Sequence, residues 1–497
     1  MKKETTISAA PKYTTHIKAL ACVAIGVLIY FFLPAANGLT PLGVKLLSVF
    51  VPTVLSWLII GGTPWASLLG VTMVVLLGVY DGAMAYQMQW GTALVAMVIP
   101  FFMLAAVLED SGAIEYVVKW LISRKVVHGR PKLFMIIFSL SLIFINIFVH
   151  PFVVVVLYFK ILKQIAAQIG ENEDSGFYTS HGLLIGWISQ LADGTLIWLR
   201  PWIMSMVAVI AAYGFPNFTV TEYLKLSLAY IAVGTIVLLM IIFLWVRPDL
   251  SKLANFDDAA MRASLKANPM SKSAKVTLFA MAVVMIVNLM ATMTFLGPVS
   301  SYLSALPYAA SVTLVVCLLA VIPVEGKPIL NIAEAAKRVP WGTVIFLGTI
   351  MFFASIFGSE TYGISIALQN LLTPVVNSIP ISICMAVGVI IACLFTNLAS
   401  NSVSVIVTGA CFVPAMLNIP GIDPARVLAF GACIILASGT AIATRSACGV
   451  MALLYTDEHL PWTKKILSYA VTLCVIMMIF CIVVLIPMGT SVLAGCL

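Results

Sequence analysis

Apolar runs of about 20 residues recur along almost the whole chain, near 17–35, 43–61, 64–84, 92–121, 220–246, 273–296, 306–323, 341–371 and 466–494. A run of that length, coiled at about 1.5 Å per residue, crosses the roughly 30 Å of a bilayer's hydrocarbon core. Only 9% of the 497 residues are charged and 62% are hydrophobic, against about 25% charged in soluble domains, so no water-facing surface can be assembled around these runs. In lipid every backbone N–H and C=O must be satisfied within the protein, which an isolated apolar segment achieves as a helix. The expected fold class is an all-α polytopic membrane protein.

Two further stretches, 132–213 and 375–457, are apolar but interrupted by Gly, Pro, Asn, Ser and charge. One re-entrant hairpin plus one broken helix in each brings the total to about 11 transmembrane helices, with the N-terminus cytoplasmic and the C-terminus outside. On that topology 22 of the 27 Lys and Arg face the cytoplasm, and only Lys45, Lys225 and Arg426 lie outside. This is the asymmetry of the positive-inside rule, and the reverse orientation inverts it. The net charge of +8 is thereby read as a topology signal, with no nucleic-acid partner. The first run follows Lys2, Lys3, Lys12 and Lys18 but is too long for the core of a secretory signal, so it is taken as an uncleaved first helix. A multi-pass location in a bacterial inner membrane, with lipid as its surrounding partner, is expected. The ten cysteines lie scattered in apolar segments without a CxxC pair, so neither a disulfide framework nor a zinc site is indicated.

Sliding the second half of the chain over the first gives matches at one separation. Trp90-Gly91-Thr92, Phe101-Phe102, Glu109, Gly112 and Asn146 fall on Trp341-Gly342-Thr343, Phe352-Phe353, Glu360, Gly363 and Asn397, each 251 residues on. Gly194-Thr195, Ile197 and Arg200 fall on Gly439-Thr440, Ile442 and Arg445 at 245, so the second copy is six residues shorter, and the polar Gly170–Asp174 loop is the place for the difference. The expected layout is a first repeat over 1–247 (hairpin 132–168, broken helix 177–213), a cytoplasmic linker over 248–272, and a second repeat over 273–497 (hairpin 375–419, broken helix 424–457). The long helix 92–121 runs from outside to inside on this topology and its copy 341–371 the other way. The halves are therefore expected to be inverted, the design from which many secondary transporters build alternating access.

Each hairpin has a recognisable turn. In the first, Asn146 to His150 precede Pro151, which starts a helix well and continues one badly. In the second, Ser400, Asn401 and Ser402 supply N-cap side chains whose hydroxyls and amides suit an ion at a helix end. Each broken helix centres on glycine, at Gly194-Thr195 and Gly439-Thr440, and runs into an arginine, Arg200 or Arg445. Arginine at membrane depth costs at least about 2.5–3.5 kcal/mol on insertion scales, so two at matched positions call for a shared reason. A small anionic substrate between two guanidinium forks supplies one; structural ion pairs of Arg200 with Asp193 and of Arg445 with Glu360 are the other reading. The substrate-binding candidates are Asn146, His150, Thr195, Arg200, Ser400, Asn401, Ser402, Thr440 and Arg445. His150 reads equally as a proton site, a substrate donor or a merely hydrogen-bonded side chain. Glu109 and Glu360 read as helix-bend residues rather than ligands. The chain has no HExxH, GxSxG or phosphate loop, so no enzyme is indicated.

From Trp90 to Tyr455 the chain resembles the divalent-anion:sodium symporters of the ion-transporter superfamily, which carry dicarboxylates, citrate or sulfate. That family has Ser-Asn-Thr at each hairpin tip and a Gly-Thr stretch running into Pro-Pro-Asn at each broken helix. Ser400-Asn401-Ser402, Gly194-Thr195 and Gly439-Thr440 match it, as does Pro340-Trp341-Gly342 followed by Gly363. The resemblance implies secondary transport of a di- or tricarboxylate by elevator-type alternating access, in a homodimer. It also implies sodium as coupling ion, held by Ser400, Asn401, Gly439 and Thr440, and no other cofactor. At the first tip Val149-His150-Pro151 replaces Ser-Asn-Thr, and the Pro-Pro-Asn positions hold Arg200-Pro201-Trp202 and Arg445-Ser446-Ala447. A cation/proton antiporter of the same superfamily, titrating at Asp193 and His150, is the alternative; the two arginines argue against it, because they repel a cation.

Overall fold

The computed structural model describes residues 12–496 except 58–59, 61–63, 149–150, 172–175, 195–202, 204–206, 208–209, 211–214, 216–217, 219, 257, 293–295, 305–307, 358, 360, 365, 368–369, 371–373, 375–378, 399–400, 418, 420, 446, 456–459 and 461. It is 81% helical. Five helical segments, Gly82–Asp110, Pro151–Ile169, Glu222–Val246, Ile381–Leu398 and Lys464–Val492, are long and apolar enough to cross a membrane, and shorter apolar helices accompany them. The described residues also include a two-residue β-ribbon pairing Pro323–Val324 with Lys327–Pro328, a small departure from the all-α expectation.

One group of helices comprises α1 (Lys12–Phe32), α2 (Pro41–Ser56), α3 (Pro64–Leu76) and α4 (Gly82–Trp90), with α14 (Trp341–Phe357) packed on α3 and α4. Local chemistry sets their starts. Thr40 caps α2 by accepting from Gly43 N at 3.1 Å, with Pro41 at the first position, and Asp81 caps α4 through Met84 N. Each cap satisfies a donor that the first turn leaves bare. Their shared core is built on Leu46, Val49, Val71, Val74, Phe352 and Phe353. Since lipid is as apolar as these side chains, polar contacts help to fix the pairing: Gln89 Nε2 donates to Thr349 Oγ1 at 3.0 Å, and Trp57 Nε1 to Ser67 Oγ at 3.0 Å.

The expected long helix 92–121 is two helices, α5 (Ala93–Asp110) and α6 (Ala113–Ile122), separated by Ser111 and a left-handed Gly112 at φ 71°. In the matched position α14 ends at Phe357, and Gly363 is also left-handed, at φ 63°. A residue at positive φ ends an α-helix, and glycine takes that conformation without a Cβ penalty. Glu109 stands just before the Ser111-Gly112 break, with Arg338 reaching it at 3.2 Å and also pairing with Asp110. Glu360 lies outside the described residues.

The larger group contains α7 (Pro131–Phe148), α8 (Pro151–Ile169), α9 (Gly176–Asp193) and α10 (Val220–Ile241). With them pack α15 (Ile381–Leu398), α16 (Asn401–Leu417), α17 (Pro424–Ser438), α18 (Gly449–Leu454) and α19 (Lys464–Phe480). At its heart lie α9 and α17, buried along nearly their whole length, as helices apolar on all sides must be. The helices of α7–α8 run antiparallel, with Tyr158 OH donating to Ser141 Oγ at 2.9 Å and Phe138 against Tyr158. In α15–α16, Ser404 Oγ donates back to Ala392 O at 2.6 Å. Within each pair the two helices thus lie against one another over their described residues.

Between the groups run α12 (Lys272–Thr292) and α13 (Tyr308–Val321), both against α5. The linker is not a bare loop. Its helix α11 (Asp258–Ala267) meets α12 at 105° and is docked on the α6–α7 corner: the Asp258 carboxylate takes His128 Nδ1 at 2.6 Å and the Arg262 guanidinium, which also donates to Ser123 O at 2.6 Å.

Candidate functional site

Where α17 ends at Ser438 the chain leaves the helix from Gly439 to Cys448 and resumes it as α18. Asp423 and Pro424 set the start of α17, the aspartate accepting from Ala425 N at 2.9 Å. An unwound segment this deeply buried has to find a partner for every backbone group, or each orphan costs about 1–3 kcal/mol.

Asn397, near the end of α15, provides three of them. Its amide nitrogen donates to Thr440 O at 2.9 Å and back to Cys393 O at 2.8 Å, while its Oδ1 accepts from Ile442 N at 3.0 Å and Ala443 N at 2.7 Å. Thr444 Oγ1 returns the contact by donating to the Asn397 carbonyl. Two aromatic donors hold the next carbonyls: Tyr455 OH donates to Ile442 O at 2.6 Å and Trp462 Nε1 to Ala443 O at 2.9 Å. The end of α17 is tied to the hairpin as well. Thr396 Oγ1 donates to Ser438 O at 2.6 Å and lies 3.3 Å from Asn401 Oδ1, and the Ser404 and Ser438 hydroxyls share a hydrogen bond at 2.9 Å.

Of the residues expected from the sequence, Asn401, Gly439 and Thr440 are therefore brought into one buried cluster, with Thr396 as the bridge. Gly439 serves as the C-cap of α17. Thr440 offers a carbonyl held by Asn397 and a hydroxyl that donates to Ala437 O. Arg445 follows directly and is exposed, as is natural for a guanidinium one residue beyond a half-buried Thr444. Ser400 and the side chain of Ser402 lie outside the described residues, as do His150, Thr195 and Arg200.

The first half carries a related arrangement on fewer described atoms. Asn146 Nδ2 donates to Leu142 O at 2.8 Å, as Asn397 does to Cys393 O, and crosses to Ser189 Oγ on α9 at 3.0 Å. Tyr223 OH on α10 donates to Gly194 O, where α9 ends. Side chains also join the two breaks: Trp187 Nε1 on α9 donates to Tyr455 OH at 2.9 Å, and Cys448 Sγ to Gln190 Oε1 at 3.0 Å. Thr396, Asn397, Ser404, Ser438, Trp187 and Tyr455 are the participants that sequence reasoning did not assign to the site. Asn397 carried a signal as a repeat match, and Thr396 and Ser438 stood beside the turn and the Gly-Thr break.

Among the described residues no group of three or more His, Cys, Asp or Glu converges to hold a metal. The cluster is built of neutral hydroxyls, amides and backbone carbonyls that hydrogen-bond one another, and the exposed Arg445 follows it in the chain. A family model described as citrate transporter, CitMHS, matches residues 53–435. The chain belongs to the CitMHS citrate transporter family. That family stands in the ion-transporter superfamily with the di- and tricarboxylate transporters, so the resemblance read from the hairpin tips and Gly-Thr breaks holds at that level. No curated protein matches the chain. The match covers the hairpins α7–α8 and α15–α16 and α17, and stops just before the unwound segment. With the apolar helices it makes the chain a multi-pass integral membrane protein of a transporter family, not an enzyme family.

Proposed function

We propose that this protein is a secondary active transporter of citrate or a closely similar di- or tricarboxylate, working by elevator-type alternating access. The observation that carries the reading is the buried clamp of Asn397 on the unwound 440–443 segment, with the exposed Arg445 guanidinium directly beyond it, in a chain of the citrate transporter family. Neutral clamps keep the break rigid without using a charge, so the arginine is left for the substrate. In this reading Arg200 and Arg445 each offer a fork to one carboxylate of the anion. Sodium, as coupling ion, takes its oxygens from Ser400, Asn401, Gly439 and Thr440 in the second half, because Val149 and Pro151 offer no side-chain oxygen at the first tip.

The architecture proposed with it is an inverted repeat of 1–247 and 273–497 around a cytoplasmic linker, 248–272, in a homodimer with an inside N-terminus and an outside C-terminus. Support comes from α7–α8–α9 and α15–α16–α17, which follow one another in the same order about 250 residues apart, and from Gly112 and Gly363, both left-handed at matched positions. The two helix groups are the proposed scaffold and carrier.

The test is citrate uptake into proteoliposomes with and without sodium. Hydrogen bonds to charged groups contribute about 1.5–3 kcal/mol, so Arg445→Lys, which keeps the charge and loses the fork, weakens citrate binding by roughly ten- to a hundredfold, and Arg445→Ala by more. The same order is expected at Arg200. Folded alanine variants at both positions that bind citrate as the unchanged protein does would overturn the assignment. Asn401→Ala is expected to abolish sodium stimulation, and sodium dependence untouched by that change refutes the proposed sodium site.

A further inference from the structure

Against the unwound segment, at Thr440 and its Asn397 clamp, two thiols converge. Cys393 on α15 places Sγ 3.3 Å from Thr440 Oγ1, and Cys474 on α19 directs its thiol to Thr440 O at 3.7 Å. Both sulfurs lie 3.9 Å from the same atom, Asn397 Nδ2, and their side chains are close enough to interact with each other. Cys393 is 3% exposed and Cys474 6%. Tyr230 on α10 is also buried, at 2% exposed. Two helices thus deliver two soft donors to one buried point.

We propose that Cys393 and Cys474 form a binding site for a soft, two-coordinate d10 cation of the copper(I) type, and that occupancy stops transport by disturbing the Asn397 clamp. Thiolates select soft metals, whereas zinc requires four ligands, which this point does not supply. Charge fits as well: M⁺ displaces one proton from one thiol and accepts a lone pair from the other, so the product is neutral and one H⁺ leaves to water. A buried, water-poor position accepts a neutral unit far more readily than a net charge. Binding draws Cys393 Sγ off the Thr440 hydroxyl and both sulfurs off the Asn397 amide, the groups that fix the break. The effect on transport rests on the functional reading above; the binding does not.

Silver(I) is the probe. Equilibrium dialysis of the full-length protein in detergent is expected to give one tight Ag⁺ per chain that is lost in Cys393→Ala and in Cys474→Ala and kept in Cys433→Ala, a buried thiol elsewhere on α17. Retention in the first two variants, or equal loss in all three, overturns the site. With one equivalent of Ag⁺, citrate uptake by the unchanged protein is expected to fall at least tenfold and that of the Cys433→Ala variant likewise. Uptake unaffected by a bound silver ion overturns the coupling to the clamp. If no variant and no unmodified protein moves citrate, the transport reading fails while the dialysis result still decides the metal site.

Discussion

Asn397 holds four backbone groups with one side chain, two as donor and two as acceptor. No other residue type offers that combination at that length, because a carboxylate lacks the donors and a hydroxyl lacks the reach. Asn397→Ala takes the partner from Ala443 N and one of two partners from Ile442 N and Thr440 O, which keep the hydrogen bond between them at 3.0 Å, at about 1–3 kcal/mol for a group left unsatisfied. The expected result is an unfolding temperature several degrees lower and citrate transport reduced to background. Uptake within twofold of the unchanged protein would show that the clamp does not hold the site. Arg445→Ala should behave oppositely, with stability within about 0.5 kcal/mol, as for other exposed positions, and substrate binding lost. The repeat flagged Asn146 and Asn397 as equivalents, but the sequence suggested ligation for Asn146 and no role for Asn397. The clamp was illegible because it joins positions some 45 residues apart through backbone atoms, which carry no residue-type signature. The break at Gly439-Thr440 was legible because glycine is a common helix terminator in sequence, although Gly439 itself stays right-handed, at φ −69°.

At the scale of elements, the two left-handed glycines separate conformational cost from crowding. Gly112 has φ 71° and open space where a Cβ would stand, whereas a Cβ on Gly363, at φ 63°, would run into the Gly38 carbonyl. Gly112→Ala is expected to cost about 1–2 kcal/mol, the left-handed penalty alone, and Gly363→Ala distinctly more, measured as the order of unfolding temperatures in detergent; equal losses would mean that the loop at Gly38 yields freely. The sequence placed a bend at this point, before Gly112, but one long helix rather than two, because the apolar residues continue across Ser111-Gly112 on both sides.

The linker makes a second element-scale prediction. Burial pushes the Asp258 carboxyl up, but the His128 and Arg262 contacts outweigh it, and the group titrates below its ordinary value of 3.8. A lowered carboxyl pKa contributes stability that is complete above the unfolded value and disappears as pH falls through the folded one. Hydrogen exchange of residues 258–267 is therefore expected to stay slow from pH 7 down to the ordinary carboxylate range and to quicken below it. Asp258→Asn should exchange faster already at pH 7, and an unchanged rate in that variant would separate the docking from the carboxylate.

For the whole molecule, the apolar runs were enough to read a membrane protein, because bilayer thickness acts on length directly, while the carrier reading came from the repeat, the broken helices and the family resemblance. The grouping of helices was not readable, since lipid-facing and protein-facing apolar residues are chemically alike. That grouping makes the elevator testable at one contact. Glu115 on α6 pairs with Lys160 on α8 at 3.1 Å and with Lys119 on its own helix at 2.8 Å, so one carboxylate bridges the α5–α6 segment and the first hairpin. The pair is well exposed and contributes no more than about 1 kcal/mol, so Lys160→Ala alone is expected to change the transport rate by less than about fivefold. A covalent tie at the same place acts differently. If the α7–α10 and α15–α19 group travels as a carrier, the Glu115→Cys/Lys160→Cys variant loses citrate uptake when a disulfide closes between α6 and α8 and regains it on reduction, while the unchanged protein under the same oxidant keeps its rate. Uptake that continues with that cross-link closed would mean that the hairpin does not move against α6, and alternating access would then have to be sought in the second hairpin alone.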